Sequence, residues 1–265
     1  MKKLLPYSVL ALAALASCAQ AVEINGVIHA IGGAAPPMAQ LVADRADKLP
    51  VIAGKVDGDR FSITLPDEGL FRLRLEAHGW LSEPVFVPDP KAVGELDLVM
   101  YPAAIPEPAL AEELKAMGEQ DLAMRKSVPA GQPDAAFLKR WEDGNKQREK
   151  RLGEIIDSKG WPTVSKVGHE AETGAWLIAQ HGSPDFLKRC LALMFEAADR
   201  HEVPLAQLAL SIDRVLANDH MKQFYGSQFV MTEEGKQAIL PVEDPVHLDE
   251  RRRKMGLEAI GGIGK

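Results

Sequence analysis

The sequence predicts an α+β protein of two domains, an N-terminal antiparallel β-sandwich followed by a mainly α-helical domain that carries a short β-hairpin. Three observations predict it. Between residues 22 and 101 apolar and polar residues alternate at a period of two. Residues 102–108 concentrate Pro102, Pro106 and Pro108, the composition of a stiff linker. From residue 109 onward apolar side chains return every three to four positions, as one face of a helix requires.

Taken in order, Phe61, Ile63 and Leu65 alternate with Ser62 and Thr64, and Phe71, Leu73 and Leu75 with Arg72, Arg74 and Glu76. Asp57-Gly58 and Asp67-Glu68-Gly69 supply turns ahead of each run. One polar face implies antiparallel strands that cover one side of a core. A helix over Ala109–Lys126 carries Leu110, Leu114, Met117 and Leu122. Pro129, Gly131 and Pro133 break the pattern, and Asp134 caps a second helix that runs to Ser158 and stops at Gly160. Its charge density places most of it against water. Ala175 to Ala179 is apolar on every side, the mark of an enclosed helix. Gly182 ends that helix and Ser183-Pro184 begins the next. Leu205 to Ala217 is again apolar, interrupted by Gln207, Ser211, Asp213 and Arg214. Gln228–Met231 and Ala238–Leu240 flank a turn and read as a hairpin, a charged helix covers Leu248–Leu257, and 259–265 is a flexible tail.

The formal net charge of −7 makes nucleic acid a poor partner. Of the two cysteines, Cys190 shares a helical face with Leu187, Leu191 and Met194, which suits a small buried hydrophobe. Cofactor and metal signatures fail: His169-Glu170 opens like a zinc helix, but Thr173 stands where the second histidine belongs, and no G-x-S-x-G occurs.

The first 21 residues read as an export signal. Lys2 and Lys3 precede an apolar run from Leu4 to Leu15, too short to span a bilayer. Leu15-Ala16-Ser17-Cys18 then resembles a bacterial lipobox, whose cysteine becomes the lipidated first residue. Ala19-Gln20-Ala21 offers ordinary cleavage as the alternative. Both routes export the protein. The lipobox resemblance, with Ala19 and no aspartate after the cysteine, implies an outer-membrane lipoprotein that faces the periplasm. The second exit implies a soluble periplasmic or secreted protein.

Two further resemblances follow from the residues. The G-x-V-x-G run at Gly54 and the stretch from Asp57 to Trp80 are similar to the carboxypeptidase regulatory-like or transthyretin-like β-sandwich. That likeness implies a spacer without catalysis over 22–101. Residues 107–258 resemble an uncharacterised bacterial helical domain of unknown function. The motifs are D-L-A-M-R at Asp121–Arg125, G-W-P-T at Gly160–Thr163, W-L-I-A-Q-H at Trp176–His181, D-R at Asp213-Arg214 and Q-F-Y-G-S-Q at Gln223–Gln228. The likeness implies a fold and no reaction.

These motifs hold the candidate site. His181 closes the enclosed helix beside Gln180, where it either caps the last carbonyls or donates a proton at a cleft. Asp213 and Arg214 are adjacent, so they point about 100° apart and each needs a partner on another helix. Asp121 and Arg125 are the natural ones, in an ion lattice or a polar site. Gln223, Tyr225 and Gln228 either fix a loop or hydrogen-bond a neutral polar ligand. Trp161 is a core anchor or a stacking platform.

Two functions compete. One is an envelope binding or scaffolding protein for an unknown polar small molecule or envelope partner, attached to the membrane through Cys18. The other is an envelope hydrolase or lyase with His181 as acid and Asp213 or Glu172 as its partner. For the anchor the expected outcome is direct: Cys18→Ala should move the protein from the membrane to the soluble envelope fraction. An unmodified mature N-terminus at Val22 would remove the lipoprotein reading.

Overall fold

The computed structural model describes residues 20–31, 39–45, 51–129, 131–232 and 235–260. The expected lipidation site Cys18, nearly all of the signal segment, Glu233, Glu234 and residues 261–265 of the tail lie outside the described residues.

Alternating side chains build two facing sheets. One has the strand order β4 (Lys55–Asp57), β5 (Arg60–Pro66), β1 (Ala21–Ala30), β9 (Leu96–Pro102), β7 (Trp80–Ser82). The other runs β3 (Ile52–Ala53), β2 (Gln40–Arg45), β6 (Phe71–Glu76), β8 (Val85–Val87). Ile24, Ile63, Leu65, Leu98 and Met100 of the first sheet meet Leu41, Phe71, Leu73 and Leu75 of the second in one core. The outward residues Asp44, Arg72 and Arg74 join in a surface ion cluster. The expectation of antiparallel strands throughout is corrected at one place. β1 pairs antiparallel with β5 but parallel with β9, with Ile28 opposite Leu98. Alternation records which face is buried and carries no information on strand direction.

After β9 the chain turns into helices α1 (Pro108–Lys126), α2 (Ala135–Lys159), α3 (Val164–Val167), α4 (His169–Gln180), α5 (Pro184–Ala198) and α6 (Leu205–Asn218). Pro108 takes the first turn of α1, where its missing N–H costs nothing. Asp134 caps α2 through Phe137 N at 2.6 Å, and Ser183 caps α5. The hairpin of β10 (Phe229–Met231) and β11 (Gln237–Ile239) follows, then α7 (Leu248–Lys254), which ends three residues before the expected limit. Among the described residues no helix is long and apolar enough to cross a membrane.

α4 lies at the centre of this region, as its all-round apolar character requires. Ala171, Ala175, Ile178 and Ala179 share a core with Leu114, Leu152, Ile155, Cys190, Met194 and Leu208. α1 crosses α4 at glycines. A Cβ on Gly118 would stand 2.6 Å from Gly174 Cα, and one on Gly174 would stand 2.3 Å from the Leu114 carbonyl oxygen. The two helices run side by side in the same direction, since Lys115 pairs with Glu170 at one end and Asp121 with His181 at the other. α2 runs against α1, with Lys159 on Glu107, Arg151 on Glu113 and Arg148 on Asp121.

The sheets and helices also touch. Val164 packs on Ile31 and Tyr101, His29 stacks on His201 at 3.8 Å, and His169 meets Glu83 at 3.0 Å.

Gly174→Ala should therefore part α1 from α4. We expect a loss of about 2–3 kcal/mol or more, because the new methyl group meets backbone rather than a yielding side chain. Denaturant unfolding measures it; an unchanged midpoint would mean that the crossing is not close-packed in solution.

Candidate functional site

The close crossing of α1 and α4 buries Asp121, one turn beyond Gly118, at 1 % exposure. Two guanidinium groups and an imidazole, from α1, α2 and the end of α4, answer it. His181 Nδ1, just past the end of α4, lies 2.6 Å from Oδ2. Arg125 Nε donates to the same oxygen at 2.9 Å from the next turn of α1. Arg148 of α2 donates to Oδ1 at 3.3 Å and to Asn145 Oδ1 at 2.7 Å. Burial pushes the Asp121 carboxyl up, but the hydrogen bonds from His181 and Arg125 outweigh it and hold the group below the usual carboxylate range. Arg125 also lies over the Trp141 ring, 4.9 Å from its centroid. Asp121, Asn145, Arg148, Ile178, His181 and Gly182 line a shallow surface cleft here that has essentially no free volume in this state.

Arg148 is the member that sequence reasoning missed, because α2 reads as a water-facing helix. The signal was present. Arg148 precedes Leu152, Ile155 and Ile156 at helical spacing, so it continues the apolar stripe that faces the core.

Of the other expected residues, Gln180 and Arg214 belong to the neighbourhood. Gln180 is buried, donates to the Leu210 carbonyl at 3.4 Å and accepts at Oε1 from Ser211 Oγ at 3.2 Å, while Ser211 Oγ accepts from Trp176 Nε1. This polar seam joins α4 to α6. Arg214 sits one turn further along α6, half-buried, and its Nε has no hydrogen-bond partner. Burial lowers its pKa, and the charge of Arg125 lowers it further.

Asp213 is placed elsewhere. Fully buried, it accepts from the backbone N–H groups of Phe224 (2.8 Å), Tyr225 (3.0 Å) and Ser227 (2.9 Å). Its partner is thus a loop, where an arginine on another helix was expected. Gln223 spends its amide inside the same loop, donating to the Gln228 and Leu240 carbonyls and accepting from Gln228 N. The Gln228 side chain bonds Ser227, and Arg252 donates to the Tyr225 carbonyl. Burial, with the negative charge of Asp213, raises the pKa of the Tyr225 phenol. Gln223, Tyr225 and Gln228 therefore form a fixed loop on Asp213, apart from the Asp121 cluster.

Trp161 and Glu172 meet in a third place. The Trp161 indole and the Gln207 amide face the Glu172 carboxyl, yet Trp161 Nε1, both Glu172 oxygens and Gln207 Oε1 make no hydrogen bond of normal geometry. Burial pushes Glu172 up to about 8, against the two polar neighbours. It is a neutral acid at pH 7, the form that a site without a counter-charge tolerates. Cys190 is buried as expected of a core thiol, and burial raises it to about 12. Among the described residues no three His, Cys, Asp or Glu side chains are grouped to hold a metal ion.

Fold and site together define a protein with facing β-sheets and a helical region organised around a buried carboxylate and its arginines and histidine. The helical part, residues 108–262, matches the family of unknown function DUF6624, and the chain belongs to that family. No curated protein matches the chain.

Glu172 gives a pH dependence with a definite sign. Unfolded, the carboxyl ionises near 4.5, whereas the folded protein keeps the proton to about 8. Between these values the unfolded state releases a proton that the folded state holds, so stability falls as pH rises. Glu172→Gln should remove most of that fall and melt above the wild type at pH 8. Melting curves from pH 5 to 8 measure it; parallel slopes for both proteins would show that Glu172 ionises normally.

Proposed function

We propose that this is an exported cell-envelope lipoprotein, anchored through Cys18 at the outer membrane, whose helical domain binds a small polar ligand beside His181. The 22–101 β-sandwich is a separate domain of the carboxypeptidase regulatory-like kind and serves as a spacer. The lipobox-like Leu15–Cys18 supports the address. One observation carries the ligand site: a buried Asp121 fixes the His181 ring by Nδ1 at the edge of a cleft. Nδ1 is occupied by the carboxylate, so Nε2 is the atom left for a ligand. The histidine is 16 % exposed, enough to be reached, while Asp121 is enclosed.

A second reading is favoured by the same contact. A histidine oriented by a buried carboxylate is the arrangement of a general acid or base. In an envelope hydrolase or lyase built here, Asp121 would be the positioning residue in place of Asp213, which bonds the backbone of the Phe224–Ser227 loop, or Glu172, which lies buried beside Trp161 and Gln207. The binding reading stands first because no nucleophile completes the constellation in the cleft.

The test separates site from scaffold. His181→Gln keeps a hydrogen-bonding end and should leave the melting temperature within about 2 °C of the wild type. A small molecule that copurifies from envelope extract with the wild type, detected by mass spectrometry, should be lost from the variant. Asp213→Ala leaves buried amides unpaired and should cost on the order of 3 kcal/mol. If His181→Gln falls as far as Asp213→Ala, His181 holds the fold and the ligand site is refuted.

A further inference from the structure

We infer that the ligand presents an oxyanion, a phosphate or carboxylate group, to Arg214 and Arg125 beside His181. The inference rests on the ligand site proposed above and adds its chemistry.

The charge inventory carries it. Both oxygens of Asp121 are already engaged: Oδ2 accepts from Arg125 and His181, and Oδ1 accepts from Arg148, with the second Arg125 nitrogen at 3.4 Å. One carboxylate thus serves two guanidinium groups and an imidazole. Arg214 adds a third guanidinium with no acid of its own. Its sequence neighbour Asp213 is committed to backbone amides on the other side. Arg251 and Arg252, also half-buried, show what such a side chain ordinarily does: both spend their N–H groups on backbone carbonyls. Arg214 has no such acceptor, its Nε is enclosed and unpaired, and the neighbouring charge is that of Arg125. A half-buried guanidinium with an enclosed, unpaired Nε is a costly arrangement without an anion.

The placement fits the same ligand. Gln180 on α4 contacts Leu210 O and Ser211 Oγ on α6. Arg214 lies one turn beyond Leu210 and Ser211, and His181 is the residue after Gln180. Arg214 and His181 therefore flank one seam, with Arg125 joined to His181 through Asp121. The planar fork of arginine matches an oxyanion in two parallel hydrogen bonds. In a chain of net charge −7 this local excess of cations stands out.

The experiment uses the full mature chain at constant ionic strength with three probes: inorganic phosphate, acetate and glucose. Melting curves are followed together with the NMR signals of the His181 ring. Phosphate or acetate should raise the melting temperature saturably and shift His181, and the stronger of the two names the anion. Arg214→Gln should weaken that response at least tenfold. Without any probe it should melt at or above the wild type, because an unpaired charge has been removed. Arg214→Lys, which keeps the charge and loses the fork, serves if the glutamine variant does not fold, and should also bind more weakly. A His181 shift with glucose alone would overturn the oxyanion and leave the ligand site standing. Silence from both anions, or an Arg214→Gln protein that binds them like the wild type, would overturn the inference. So would an Arg214→Gln protein of lowered ligand-free stability and unchanged binding, which would make Arg214 a scaffold residue.

Discussion

Two parallel helices that touch backbone to backbone, through Gly118 on α1 and Gly174 on α4, place everything else in the helical region. With any larger residue at either position the axes would separate. Asp121 follows Gly118 by one turn, and His181 follows Gly174 by about two, so the crossing brings carboxylate and imidazole together at 2.6 Å. It also shuts Asp121 away from water. A carboxylate so enclosed must be compensated from several directions, and Arg125, Arg148 and His181 reach it from α1, α2 and the end of α4. The polar cluster is a consequence of tight packing.

The remaining buried polar groups divide the labour. Asp213 converts the middle of an apolar helix into an anchor for the loop Gln223–Gln228, taking three backbone N–H groups that would otherwise be orphaned. Gln223 closes that loop onto the hairpin strands' flanks through the Leu240 and Gln228 carbonyls. Ser211 and Gln180 stitch α6 to α4. Glu172 has no cation and stays protonated instead. Each solution is a different answer to the same cost of desolvation. Beside Asp121 the His181 ring reaches the surface, 16 % exposed, with an unpaired arginine at hand.

That contrast gives the functional reading its direction. Residues that spend all of their hydrogen-bonding capacity inside the protein, as Gln223 does, have nothing left to offer a ligand. His181 keeps one nitrogen, and Arg214 keeps its fork. Contacts such as Val164 on Tyr101 and His29 on His201 further tie the helices to the sheets.

Much of the fold was written in the chain itself. Strands β5 and β6 could be read from Phe61–Leu65 and Phe71–Glu76, because a half-buried strand must alternate. The helices were marked by their spacing and by Asp134, Pro184 and Gly160 at their ends, all local effects within a few residues. The suspicion attached to Asp121, Arg125 and His181 also came from the sequence, through charge set among apolar residues. The pairing did not. That Asp121 takes His181, that Asp213 takes a loop, that Arg148 turns inward and that β9 lies parallel to β1 each depend on residues far apart in the chain. Periodicity says which side of an element is buried, but a partner is chosen only when packing fixes the distance between two elements. Here two glycines without side chains set that distance.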